Sequence, residues 1–428
     1  MPEATRPKIL ILLAAYLPGY KAGGPIRSIA NLVEAFGDKF EFRILTSDRD
    51  HRAPSPYPGV PTQEWVRVGK AVVMYLPPRC ASIPSMIRII RRTDPEVLYI
   101  NSLFSPLYSI VPMLLCWVGL IRPKAVMLAP RGELSKGALR FKRWKKYPFR
   151  KIAGIVRLHK SVLWHASTEY EAQEIREEFF GSDVAIAEPL PVLTACDLPD
   201  RPPMEPDLSS RRKKTAGSLR MAFLSRISRK KNLDGALSML GGLRGDVLFS
   251  IYGPAEDPGY WEECREIMRS LPANIRAEYR GEVSHDRVAT CLAQSDLFFL
   301  PTHGENYGHV IAEALAAGCP VLISDQTAWR GLEEKGVGWD LPRDAPQLFQ
   351  SVLQRLIDMP PDEFQGFSDR ARHYASQHAS DSEIFRSNLD LLNSAVRYPR
   401  MAHSDLRLQL CGAMSEAAQD IGKGPPAR

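Results

Sequence analysis

The segment 301–324, PTHGENYGHVIAEALAAGCPVLIS, sets two carboxylates, Glu305 and Glu313, on either side of a glycine-containing turn. An apolar strand ends at Pro301, and helical spacing starts near Gly308 and stops at Gly318. The backbone amides of Tyr307, Gly308 and His309, preceded by Asn306, then open that helix. Unpaired N–H groups at a helix start favour an anion such as phosphate. Glu305 on the loop can meet sugar hydroxyls, and Glu313, about a turn and a half into the helix, can accept from ribose hydroxyls. The apolar neighbours Val310, Ile311, Ala312, Ala314 and Leu315 leave little polar face, which argues against a merely solvated Glu313.

Two further segments have matching chemistry. Strand MAFLS runs into SRISRKKN, which places Arg226 and Lys231 beyond a strand's carboxyl end, where open α/β sheets bind ligands. A guanidinium and an ammonium there can neutralise a diphosphate leaving group where no metal does so. An exposed basic loop is the rival reading, with Arg229 and Lys230 solvated. Near the N-terminus, strand KILILLAAY leads into YKAGGPIRS, so Gly23 and Gly24 precede a helix starting near Pro25. Glycines there let backbone approach a ligand, and they equally suit a plain tight turn. Asn101 and Ser102, after strand EVLYI, face the same cleft or simply cap their strand.

The elements that must hold these residues alternate along the chain. In the first half, KILILLAAY, FEFRILTSD, EVLYINS and AVMLAP read as buried strands, GGPIRSIANLVEAFG as a helix, and WHASTEYEAQEIREEFFG as a strand end and charged helix. After a proline- and charge-rich break the alternation restarts with LRMAFLSRI, NLDGALSMLGGL, DVLFSIYG, YWEECREIMRSL, SDLFFLP, HVIAEALAAG and CPVLISD. Short apolar runs alternating with helical periodicity indicate parallel sheets covered on both faces. The fold class is therefore α/β, with two Rossmann-like domains facing a central cleft. The expected boundaries are 1–196, a linker at 197–218, a second domain at 219–378, a terminal helix at 379–400 and a frayed tail at 401–428.

At 428 residues the chain exceeds what one core usually supports, and 44% hydrophobic with 25% charged residues is an ordinary globular composition. A formal net charge of +7 and a pI near 9.0 suit an anionic partner. Seven scattered cysteines without a C-x-x-C pair argue against a disulfide framework or zinc site and for a reducing cytosol. The uncharged run Leu103 to Ile121 is interrupted by Pro106, Pro112, Ser105 and Ser109, so a buried helix is expected rather than a membrane span.

The block ENYGHVIAEALAAGCPV resembles the E-x7-E signature of family 4, the retaining glycosyltransferases of GT-B fold. SRISRKKN resembles that family's G-R-x4-K segment, with Ser225 at the usual glycine and the Arg226 to Lys231 spacing kept. YKAGGPIRS resembles its glycine loop, and IYGPAED and RGEVSHDRV, around Gly253 and Gly281, sit where members hold the base. The similarity runs from about residue 8 to 395. It implies that Arg226 and Lys231 hold a diphosphate, Glu313 the ribose and Glu305 the donor sugar, with Glu305, Arg226 and Lys231 catalytic. It implies retention without an assigned protein nucleophile, the leaving phosphate helping to deprotonate the acceptor. It further implies a first lobe for the acceptor, a second for the nucleotide sugar, a terminal helix crossing back to the first lobe, and no cofactor. No D-x-D cluster accompanies the motifs, so metal independence is expected. One departure stands out: AVMLAP is followed by Arg131-Gly132-Glu133 where many members carry a His-Asp pair. Arg131 thereby becomes a candidate for donor phosphate or acceptor contact.

Between Lys136 and Lys160 lie ten Lys or Arg residues and no acid, interleaved with Phe141, Trp144, Tyr147 and Phe149. Such a stretch suits an anionic membrane surface, which would put a cytoplasmic enzyme on the inner face of the membrane where lipid-linked saccharides and exported polysaccharides are built. The alternative is a solvated helix with its aromatics packed inward. Nucleic-acid binding would use similar residues, but no other nucleic-acid module is present. Among enzymes, GT-B epimerases and phosphorylases are the rivals, and the E-x7-E block favours transfer.

Overall fold

The structure, a computed structural model, describes residues 6–135, 158–159, 162–180, 192–200 and 213–398. The basic stretch after Lys136, apart from Leu158 and His159, the middle of the linker and the tail lie outside the described residues.

In the first lobe, strands β1 (Lys8–Leu12), β2 (Glu41–Ser47), β3 (Trp65–Val68), β4 (Ala71–Leu76), β5 (Val97–Ile100), β6 (Ala125–Leu128), β7 (Leu163–Ala166) and β8 (Val192–Thr194) form one sheet. Their order is β3-β4-β2-β1-β5-β6-β7-β8. Every pairing is parallel except that of β3 with β4 at the edge. Helices α1 (Gly24–Phe36), α2 (Ile83–Thr93), α3 (Val111–Trp117) and α4 (Glu169–Phe180) connect them. Strands such as β1, β5 and β6 are continuous apolar runs because both faces are covered.

In the second lobe, β9 (Ser218–Leu224), β10 (Asp246–Tyr252), β11 (Ile275–Gly281), β12 (Leu297–Leu300), β13 (Val321–Ser324) and β14 (Gly338–Leu341) are ordered β11-β10-β9-β12-β13-β14. Helices α5 (Leu233–Ser238), α6 (Pro258–Ser270), α7 (His285–Ala293), α8 (His309–Ala316), α9 (Pro346–Asp358) and α10 (Pro361–Ala379) cover it. In each sheet the strand order reverses beside the first strand, between β1 and β5 and between β9 and β12. Such switch points open a crevice at the carboxyl ends of the strands. The fold is thus two Rossmann-like units, as the alternation in the sequence implies. The antiparallel β3–β4 pair is an addition that the parallel reading did not include.

The last helix, α11 (Ser382–Arg397), returns to the first lobe. Ile384, Leu391, Leu392 and Ala395 are buried with residues of α1, β1, β2 and β6. Phe385 packs edge-on against Phe36 at 6.3 Å, and Asn388 Nδ2 donates to the Cys196 carbonyl at 2.7 Å. The run from Leu103 is split between a π-helical turn, Pro106–Ile110, and the seven-residue α3. Among the described residues no helix is long and apolar enough to cross a membrane. The six described cysteines are free thiols.

Because Leu392 is fully buried in the first-lobe core, Leu392→Ala is expected to cost about 2–5 kcal/mol. Hydrogen exchange should show the loss at β1 and β6 of the first lobe, far from the substitution in sequence.

Candidate functional site

Most of the residues singled out by their chemistry lie in the loops at carboxyl ends of strands or at helix starts, with Glu313 within the helix that opens at His309. Arg226 follows β9, and Lys231 ends a single 3-10 turn, Arg229–Lys231. That turn is fastened to the loop after β12: the Lys230 carbonyl accepts from His303 N at 2.8 Å and Thr302 Oγ1 at 3.0 Å. The Lys231 ammonium consequently meets the Glu305 carboxylate in a short ion pair. Arg226 Nη1 donates to Glu256 Oε1 at 3.1 Å. Burial pushes the Glu305 carboxyl up, and Lys231, Lys230 and Arg226 together outweigh burial and hold it below its usual range.

Gly308, with φ +78°, caps α8 in the left-handed region, and a Cβ there would lie 2.8 Å from Ile311 Cδ1 and 3.0 Å from Glu305 Cγ. No side chain caps α8, and of its first turn the Ile311 N–H donates to the Gly308 carbonyl at 2.8 Å; such an uncapped helix start favours an anion. Helix α1, capped by Gly23 at φ +73°, also has no side-chain cap. The two helix starts face each other across the lobes: a Cβ on Gly24 would sit 3.8 Å from His309 Cδ2. Tyr307 is buried in the second-lobe core, its hydroxyl 3.0 Å from His378 Nε2 and its carbonyl accepting from Trp329 Nε1 at 2.7 Å. Asn306 reaches the opposite lobe, Nδ2 donating to Glu171 Oε2 at 3.3 Å.

Glu313 lines an open pocket together with Asp200, His285, His309, Trp329 and His378. Burial, reinforced by the Asp200 carboxylate and opposed by Arg27, pushes its carboxyl up to about 7. Arg27, on α1, donates from Nη2 to Asp200 Oδ2 and to His285 Nδ1, each at 2.8 Å. The His285 proton therefore sits on Nε2. The ligand atoms of Asp200, His285 and Glu313 lie within 4.8 Å of one another. The guanidinium of Arg27 supplies positive charge to that trio.

Arg131 occupies a different position from the one its candidacy implies. With φ +54° and a side chain 5% exposed, it turns inward. Its five N–H groups go to Asn101 Oδ1 (from Nε at 3.1 Å and Nη2 at 3.0 Å), Tyr99 Oη (2.9 Å), Ser167 Oγ (3.1 Å) and Asp197 Oδ1 (2.5 Å). None is left over for a phosphate or an acceptor. Burial disfavours its charge, while the Tyr99 hydroxyl and the Asp197 and Glu171 carboxylates more than restore it. Asn101 is thus Arg131's acceptor, and its Nδ2 is buried without a partner. The Tyr99 hydroxyl lies 2.6 Å from His165 Nδ1, and His165 Nε2 donates to the Ala195 carbonyl at 2.9 Å. Burial lowers His165 to about 4, keeping the imidazole neutral. Asp197 Oδ2 accepts from Ser28 Oγ at 2.8 Å, and that hydroxyl is 3.1 Å from His309 Nε2. The Arg131–Asp197 pair thereby touches both helix starts.

Lys230 also differs from its reading as a solvated lysine. It is largely enclosed and faces Gly132 of the opposite lobe, whereas Arg229 pairs with Glu263 at 2.5 Å and lies over Tyr260. Arg27, Ser28, Glu171, Asp197, Asp200 and His285 are site residues absent from the motif reading. No local signal marks them, since each acts on a partner contributed by a distant part of the chain.

Comparison with known proteins places this geometry. Residues 206–375 match the family described as Glycosyl transferases group 1, so the match falls on the second lobe. A 2-deoxystreptamine N-acetyl-D-glucosaminyltransferase of Niallia circulans is 31% identical over 114 residues, 26% of this chain and 28% of that protein. A phosphatidyl-myo-inositol mannosyltransferase of Mycobacterium tuberculosis is 34% identical over 94 residues, 22% of this chain and 24% of that protein. The chain thus spans about a quarter of the length of these curated relatives. The fold extends over nearly the whole chain. Anabaena HepE in complex with UDP and glucose superposes with a TM-score of 0.63 at 15% identity, covering 91% of this chain and 100% of that one. Sucrose-phosphate synthase from Thermosynechococcus elongatus gives 0.62 at 13%, covering 91% and 98%. The protein has the GT-B fold, and its second lobe carries the match to the group 1 glycosyl transferases.

Truncating Asp197 to alanine strands a buried guanidinium and is expected to destabilise the protein by about 3–5 kcal/mol in urea unfolding. Replacing both partners, Arg131→Met with Asp197→Leu, should recover part of that loss, and a double-mutant cycle measures the coupling.

Proposed function

We propose that this protein is a retaining, metal-independent glycosyltransferase that moves a sugar from a nucleotide diphosphate donor to a saccharide or lipid-linked saccharide acceptor. The observation that carries the reading is the Lys231–Glu305 ion pair, set beside the uncapped start of α8 at the switch point of the second sheet. The second lobe's family match and the two relatives named as transferases support it.

The proposed roles follow from charge. A donor diphosphate displaces the carboxylates now neutralising Arg226 and Lys231 and takes further N–H groups from the start of α8. The freed Glu305 carboxylate then accepts from the donor sugar's hydroxyls, and Glu313 from the ribose. As the bond from the anomeric carbon to the β-phosphate oxygen breaks, the negative charge grows on oxygens that Arg226 and Lys231 face. The acceptor hydroxyl oxygen bonds to the anomeric carbon on the face the phosphate leaves, and the departing phosphate takes that hydroxyl's proton, which gives retention. The contacts between Arg27 and His285 and between Ser28 and His309 hold the lobes together around this volume and limit water.

A thermal-shift screen against UDP, GDP, ADP and TDP in EDTA tests the reading. One nucleotide should raise the melting temperature without metal, since ligand at 100 times its dissociation constant adds about 2.7 kcal/mol. No shift with any of them, in protein shown to be folded, would sink it. With the donor so identified, Glu305→Gln or Lys231→Ala should reduce transfer on the order of 100-fold or more. Nucleotide affinity should rise with pH by up to about tenfold per unit below 7, because the raised Glu313 must lose a proton to accept the ribose hydroxyls. Glu313→Gln should flatten that profile.

A further inference from the structure

Four cations lie between 226 and 231, and three have carboxylate partners: Arg226 with Glu256, Arg229 with Glu263 and Lys231 with Glu305. Among the described residues the Lys230 ammonium has no ion pair or hydrogen bond. Its backbone is pinned through its carbonyl to His303 N and Thr302 Oγ1, so the side chain leaves the turn in a fixed direction. That direction is across the cleft. A Cβ built on Gly132 of the first lobe would lie 4.0 Å from Lys230 Nζ, and one on Gly304 would lie 3.5 Å from Lys230 Cε and 3.9 Å from Ser135 Oγ. Gly132, Gly304 and the small Ser135 hydroxyl thus put no bulky side chain of their own against this ammonium at the junction of the two lobes, where the Asn306 side chain also packs, 3.3 Å from a Cβ built on Gly132.

Gly132 is itself held in place: its φ is +72°, and its N–H donates to the buried Glu171 at 2.5 Å. Glu171 also accepts from Asn306, so first-lobe and second-lobe walls are fixed against each other here. Burial lowers the proton affinity of Lys230; Glu305 and Glu174 favour its charge, while Lys231 and Arg226 oppose it. An enclosed, unpaired cation of this kind is costly to hold and favours an anionic partner.

We propose that Lys230 forms an acceptor subsite for an oxyanion, a phosphate or carboxylate carried by the acceptor saccharide, which the ammonium meets at the lobe junction beside the backbone of Gly132 and Gly304. The position deepens the donor reading above and rests on it. Lys231 and Arg226 lie on the donor side, whereas Lys230 points to the lobe opposite the nucleotide. A phosphate and a uronic carboxylate share the chemistry, and the choice of probe separates them.

Isothermal titration of the full chain, first saturated with the nucleotide found by the thermal screen, tests this with glucose 6-phosphate, glucuronate and glucose as probes. Wild-type protein should bind one of the anionic probes at least tenfold more tightly than glucose. Preference for glucose 6-phosphate identifies a phosphate, and preference for glucuronate a carboxylate. Lys230→Met should erase that difference and leave nucleotide affinity within about twofold, while Lys230→Arg should keep it. Equal binding of all three probes overturns the proposal. So does a loss of nucleotide affinity in Lys230→Met as large as that in Lys231→Ala, which would assign Lys230 to the donor phosphates. Failure of every nucleotide to bind the wild-type protein would instead overturn the donor reading, and the subsite with it.

Discussion

The cleft depends on one buried ion pair, Arg131 with Asp197, whose side chains are 5% and 7% exposed. Removing two charges from water costs several kcal/mol each, and the pair persists only because every polar atom has a partner. Satisfying the guanidinium requires Tyr99, Asn101 and Ser167 at fixed places, which are the carboxyl ends of β5 and β7 and the loops that follow. Satisfying the carboxylate requires Ser28 on α1, which in turn meets His309 at the start of α8. A single electrostatic requirement thus aligns the first sheet, the glycine loop of the first lobe and the anion-facing helix of the second. The residues that resemble catalytic motifs are arranged around this frame.

The cleft is also charge-compensated in advance. Arg226 and Lys231 rest against Glu256 and Glu305, Arg27 rests against Asp200, and Glu313 is held near neutrality by burial. An anionic ligand entering such a site exchanges one set of ion pairs for another and does not have to neutralise bare charges. The two helix starts contribute fixed partial charge that no protein side chain has claimed.

The sequence made the strands readable where burial on both faces leaves no polar residue, as in ILIL (9–12) of β1, VLYI of β5 and LFFL of β12. The motif residues were readable too, because Arg226, Lys231, Glu305 and Glu313 belong to short stretches whose spacing is set by a turn and a helix. The β3–β4 hairpin was not read, since WVRV and AVVMYL sit amid turn residues without helical punctuation. The sequence made Arg131 a candidate for donor phosphate or acceptor contact because its partner Asp197 lies 66 residues on, and nothing near Arg131 signals that four acceptors converge there. The inward turn of Lys230 was hidden for a similar reason: it depends on Gly132 and Gly304, which are remote from it in the chain.

Helix α11 fills the first-lobe core although it is the last described element of the chain. During synthesis the ribosome releases the first lobe's sheet long before it releases residues 382–397. Until then the apolar faces of α1, β1 and β6 that Leu391 and Leu392 cover have no native partner. The second lobe can close its own core as it emerges, but the first lobe reaches its final packing only when translation has passed residue 397. The nascent protein therefore completes its N-terminal half last, and its first lobe is the one that needs shelter while the chain is still being made.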